Sequence, residues 1–167
     1  MTQPLRVHED GRPIDFSYED ISKYHGFAAP GGVAMAFKVM ERAFPLLSPD
    51  GPVERREVEI ATPFRGPGAR DAFECVTRAV TGERFTIDPY LERPDVDQTQ
   101  ARFVFHLTYR GHTVHLHVRA GQVSKEFITL AQQSELSAAD EKRLDELKLE
   151  MAEQVMSQDA KDVYDQA

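Results

Sequence analysis

Residues 101–119 constrain the fold more than any other stretch of this 167-residue chain. Two runs of alternating apolar and polar residues flank Arg110-Gly111, a pair suited to a two-residue hairpin turn. Pairing across that turn sets Tyr109 against His112, Leu107 against Val114, Phe105 against Leu116 and Phe103 against Val118. In this register Phe103, Phe105, Leu107, Val114, Leu116 and Val118 share one face, and Val104, His106, Thr108, Thr113, His115 and His117 share the other. One face of this hairpin is therefore committed to a core.

The flanking segments supply helices to pack there. Ser17 offers an N-cap to a short helix ending near Tyr24. Pro30, suited to the first helical position, opens a longer helix to about Phe44. Val33, Phe37, Met40 and Phe44 fall on one face of it, and Pro45 marks its exit. Residues 53–62 alternate charged and apolar side chains and predict a strand that Pro63 ends. Residues 70–80 predict a second helix, with Phe73, Val76 and Val80 inward and Asp71, Glu74, Cys75 and Arg78 on the other side. A short strand over 85–87 and a polar loop over 89–100 lead into the hairpin.

After the hairpin, Ser137 caps a helix with Asp140 three residues on, and Leu144, Leu147, Met151 and Val155 form its apolar stripe. Residues 157–159 restart a last short helix. Residues 1–16, with Pro4, Gly11 and Pro13 and no periodicity, read as an extended arm. The expected fold is α+β: helices packed on a small mixed sheet containing an antiparallel hairpin, with C-terminal helices. It divides into the arm over 1–16, an α+β domain over 17–133, and a helical extension over 134–167 packing on the same domain.

The formal charge of −8 is concentrated in residues 134–167, which carry ten Asp or Glu against four Lys or Arg. An acidic total without a basic stripe argues against a nucleic-acid partner, whose phosphates need clustered cations. No run approaches the roughly 20 apolar residues of a membrane span, and the first six residues lack the apolar stretch of a signal peptide. A cytoplasmic protein without membrane attachment is expected. Cys75 is the sole cysteine, which rules out an intrachain disulfide and fits a reducing compartment.

Two loop-into-helix segments hold the candidate chemistry. His25-Gly26-Phe27-Ala28-Ala29-Pro30-Gly31 sets an imidazole beside a helix N-terminus, where unpaired N–H groups favour an anion or a lone-pair donor. Arg65-Gly66-Pro67-Gly68-Ala69-Arg70 sets two guanidinium groups beside another, with glycines that admit a close backbone approach. Asp71 follows, as a helix cap or as a site carboxylate. The candidate anion-binding residues are Gly31, Arg65, Gly68 and Arg70; the candidate catalytic residues are His25 and Asp71. A divalent metal such as Zn²⁺ has His25 as a candidate ligand, and the hairpin adds His106 opposite His115 with His117 diagonal to them. Each group also has a plain alternative: a histidine that fills the start of a helix, a solvated basic turn, the polar face of a hairpin. Cys75 reads as inert filler.

His25, Gly26, Pro30, Gly31, Asp71, Ala72 and Gly82 match a known pattern. They resemble the FmdE-like family of formylmethanofuran dehydrogenase components, in which an HGHxCPG segment opens one helix and a C-x-x-D-A segment opens another that runs into a G-C-T-x-G turn. The likeness extends, more loosely, from about Tyr18 to about Val118. The family's thiols fall on Ala29, Gly68 and Ala79, its second motif histidine falls on Phe27, and the Cys-rich zinc ribbon of some relatives has no counterpart. A thiolate metal centre of the family type is therefore not expected. The resemblance implies helices on a small mixed sheet and a homodimer with sites near the subunit boundary. It also implies a role in one-carbon or metal-cofactor metabolism.

Three functions follow as expectations. The first is binding of a small anionic metabolite or cofactor between the His25 loop and the 65–71 loop. The second is an enzyme with His25 as general base, Asp71 orienting it or carrying a proton, and Arg65 and Arg70 clamping an anionic substrate. The third is a metal-binding accessory protein that uses the histidines.

Overall fold

The computed structural model describes residues 2–167. The expected extended arm is, over its described residues, a paired hairpin. Strands β1 (Leu5–Glu9) and β2 (Arg12–Phe16) pair antiparallel as a separate two-stranded sheet. Asp10 and Gly11 both take positive φ, 50° and 77°, which suits the right-handed twist of a tight hairpin. Leu5 and Val7 reach the core. The Asp-Gly pair is the legible signal for this hairpin, and the prolines on either side obscure it.

Helix α1 (Tyr18–His25) begins with a full capping box: the Asp20 N–H donates to the Ser17 hydroxyl at 3.0 Å, and the Ser17 N–H donates to the Asp20 carboxylate at 2.9 Å. Helix α2 (Pro30–Leu47) is the central element. Its predicted apolar face is buried, but so are Ala34, Met35, Ala36, Lys38, Val39 and Ala43, so the helix is covered nearly all round. It also runs two residues past the expected exit at Pro45. Proline removes one hydrogen bond there, in the last turn, and burial of Leu47 offsets that loss.

The expected strand over 53–62 is shorter. Residues Arg55–Glu57 form a turn of 3₁₀ helix and β3 is Glu59–Thr62. The interruption seats Arg55, whose guanidinium donates to the Val76 and Cys75 carbonyls at 2.9 and 2.7 Å. Those carbonyls close α3 (Pro67–Thr77), where a cation complements the negative end of the helix. α3 thus starts three residues before the expected 70.

The chain continues through β4 (Phe85–Ile87), β5 (Val104–Tyr109), β6 (His112–Val118), α4 (Lys125–Ala131), α5 (Ala138–Met156), α6 (Ala160–Val163) and β7 (Tyr164–Gln166). The five-stranded sheet has the order β4-β3-β5-β6-β7, with β3 and β4 parallel and the other neighbours antiparallel. The β5–β6 register is the one the alternation specifies: Tyr109 pairs with His112, Leu107 with Val114 and Phe105 with Leu116. Arg110 and Gly111 at φ 51° and 80° make the turn.

The fold is α+β, with six helices, a mixed five-stranded sheet and C-terminal helices among the described residues. α2 and α3 cover the apolar face, where Phe73 lies 5.9 Å from Phe105 ring to ring and the buried Tyr164 hydroxyl donates to the Met35 carbonyl at 3.1 Å. α5 packs along α2 through Met151, Ala152 and Val155. No helix among the described residues is long and apolar enough to cross a membrane.

Candidate functional site

The two predicted loops do meet. His25 ends α1, Asp71 sits in the second turn of α3, and His25 Nδ1 lies 2.8 Å from Asp71 Oδ2. On the other side of the ring, the Ala29 N–H donates to His25 Nε2 at 3.0 Å. An acceptor at Nε2 puts the ring proton on Nδ1, facing the carboxylate. Both nitrogens are thus spent, and the side chain is 4 % exposed.

This corrects two expectations. His25 offers no lone pair to a metal or a substrate proton; it joins the end of α1, the start of α2 and the side of α3. Asp71 is the fifth residue of its helix, too late to cap it, and it orients the imidazole instead.

The glycines explain how the first turns of α2 and α3 come so close. A Cβ on Gly68 would overlap the Ala29 carbonyl oxygen, one on Gly32 would sit 3.1 Å from the Ala69 nitrogen, and one on Gly31 would sit 2.9 Å from Met151 Sδ. Bare backbone lets the start of α2 wedge between α3 and α5. Gly31 and Gly68 are thus packing residues first, and with Gly32 and Gly66 they also line a cavity of about 430 Å³.

That cavity lies between the N-termini of α2 and α3, the loop into β5, α4 and α5. Phe64 and Phe103 form an aromatic wall with ring centres 4.7 Å apart, and Phe127, Ile128 and Leu144 face it from the helices. Its charged lining residues are Arg65, Arg102 and Lys148, and no Asp or Glu among the described residues lines it. Lys148 donates to the Ala28 carbonyl at 3.1 Å, beside the start of α2.

Neither α2 nor α3 has a side-chain N-cap or an acid in its first turn, whereas α1, α4 and α5 each have a serine cap and at least one acid there. The two helices that open on the cavity thus carry neither a capping side chain nor a first-turn acid to answer their positive ends.

The expected arginine pair is only half present. Arg65 lines the cavity, but Arg70 does not; it is 56 % exposed, with Nη1 4.0 Å from Asp71 Oδ1. A helix starting at Pro67 rather than at 70 turns Arg70 away from the mouth. Arg102 and Lys148 take its place. Neither is visible locally, since one follows a polar loop and the other sits in an acid-rich helix remote in sequence.

The histidine cluster forms in part. His106 and His115 pair across the strands with ring centres 4.0 Å apart. Among the described residues, however, no group of three His, Cys, Asp or Glu is disposed to hold a metal ion. His117 pairs with Val104, diagonal to His106, and is not gathered with the pair into such a group. Burial and the neighbouring imidazoles hold His106 below the usual histidine value; burial and Arg93 do the same to His117. Burial raises the Cys75 thiol, which keeps it a poor nucleophile.

No protein-family model matches this chain, and neither does any curated protein.

Proposed function

We propose that this protein binds a small anionic metabolite or cofactor in the cavity between the N-termini of α2 and α3. One observation carries the reading: a cavity lined by three cations and no carboxylate among the described residues, onto which two uncapped helix N-termini open. The anionic end of the ligand takes the place of the missing caps, and Arg65, Arg102 and Lys148 neutralise it.

Membership of the FmdE-like family is part of the proposal, and with it a cytoplasmic setting in one-carbon or metal-cofactor metabolism. Ala29 and Gly68, which stand where that family keeps two of its thiols, abut at the edge of this cavity. A family site emptied of thiols and turned to anion binding accounts for both facts. A homodimer completes the proposal. Phe27 is fully exposed, with Tyr24 and Leu149 exposed as well, and the hollow beside Phe27 carries Glu19 and Asp145 against Lys23 and Lys148. Balanced charge around an apolar centre is self-complementary across a two-fold axis.

Native mass spectrometry with elemental analysis of the untagged protein tests the reading. A stoichiometric organic anion that is lost in Arg65→Glu supports it. A stoichiometric metal ion, or an organic ligand retained equally by Arg65→Glu and Lys148→Glu, overturns it.

A further inference from the structure

We infer that the occupant is an amphiphilic monoanion: one acid group on a compact apolar body. This rests on the proposed function and narrows it to a ligand class. The cavity is divided in character. Phe103 is 2 % exposed, the Phe64 ring lies against it, and Phe127, Ile128 and Leu144 close the remaining apolar wall.

The charge is confined to the mouth and to the helix N-termini. Arg65 is exposed, and the Arg102 side chain is 52 % exposed and 3.6 Å from Glu92, so part of its charge is already answered. The Lys148 ammonium donates to the Ala28 carbonyl at 3.1 Å, just before α2 begins uncapped. One acid group satisfies this arrangement. A second charge, or the hydroxyls of a sugar phosphate, would be pressed against phenylalanine and isoleucine over most of the wall; its neutral polar side chains are Gln98 and Gln132, whose amides already hydrogen-bond each other at 3.2 Å, and a polar group left unpaired is costly. A cation is disfavoured, because no carboxylate among the described residues lines the cavity.

The apolar wall makes affinity grow with the ligand's body, by about fourfold for each methylene buried. The charged mouth makes the acid group matter by about tenfold or more.

Calorimetric titration of the full chain with acetate, inorganic phosphate, hydrocinnamate and hydrocinnamyl alcohol separates these contributions. Hydrocinnamate is expected to bind at least about tenfold more tightly than each of the other three. Arg65→Glu should weaken hydrocinnamate and leave the alcohol unchanged, and Phe127→Ser should weaken hydrocinnamate and leave acetate unchanged. The wild-type comparisons carry the test even if a variant folds poorly. Acetate or phosphate binding as tightly as hydrocinnamate overturns the amphiphile and leaves the anion-binding function standing. Alcohol binding as tightly as the acid overturns both, and so does failure of all four to bind.

Discussion

His25 shows how a residue that looks catalytic can be structural. Its imidazole accepts from one backbone amide and donates to one carboxylate, and it is buried while doing both. His25→Ala should therefore act on stability before it acts on any ligand. It strands the Ala29 N–H and leaves Asp71 without its partner, a loss of about 2–3 kcal/mol by the usual cost of an unmade buried hydrogen bond. Urea denaturation measures that loss, and faster amide exchange at Ala29 would locate it. A variant of unchanged stability would make His25 a free functional group again. His106 and His117 make the complementary case, because their values are held low in the fold. Such an imidazole takes up protons more readily in the unfolded chain, so stability is fully present above about pH 6.5 and is lost as pH falls below it. The urea midpoint should drop on acidification through that range, and His106→Gln together with His117→Gln should flatten the drop. An equally steep profile in the double variant would assign the effect elsewhere.

At the scale of elements, what the sequence disclosed depended on whether an element carries its own period. The β5–β6 hairpin does, since six apolar residues on one face and a glycine at φ 80° leave no other register. α5 does too, through Ser137 and its apolar stripe. α4 and β7 do not. α4 is seven residues long and half-buries Phe127 and Ile128, held to α5 by a two-pronged ion pair from Arg143 to Glu126 at 2.8 Å. β7 has three residues and owes its strand geometry to the edge of β6. The candidate site divides the same way. Its two loops were legible because glycine and proline mark them, whereas Arg102, Lys148 and Phe103 arrive from distant segments to meet Phe64 beside the second loop. The α2–α3 contact yields a prediction that runs against helix propensity. Gly→Ala inside a helix normally stabilises by about 0.5–1 kcal/mol. At Gly68 the added methyl overlaps the Ala29 carbonyl, so Gly68→Ala should destabilise by about 1–3 kcal/mol and weaken ligand binding as the N-termini of α2 and α3 move apart. A thermal melt of Gly68→Ala showing a gain would mean that α2 and α3 can separate there at no cost.

For the whole molecule, the acidic C-terminal region is structural as well as charged. It holds most of the net negative charge, yet α5 turns Met151, Ala152 and Val155 into the core and aims Lys148 at the cavity. Tyr164, in the last strand, is wholly buried, and its ring meets Phe105 edge-on at 5.7 Å. A region packed in this way cannot unfold alone without opening the central helix to water, so the chain should lose its structure in one cooperative step. Met151→Ala makes that concrete. The side chain is 6 % exposed and lies against Gly31, so its loss leaves a void between α5 and α2, at about 2–5 kcal/mol for a truncation of this size. If the molecule is one cooperative unit, far-ultraviolet circular dichroism, dominated by all the helices, and the near-ultraviolet signal of the tyrosines should shift together to lower urea. A Met151→Ala protein whose two signals separate, with helix lost first and the tyrosine signal unchanged, would show that α5 is an appendage. The cavity it helps to wall would then lack a fixed shape.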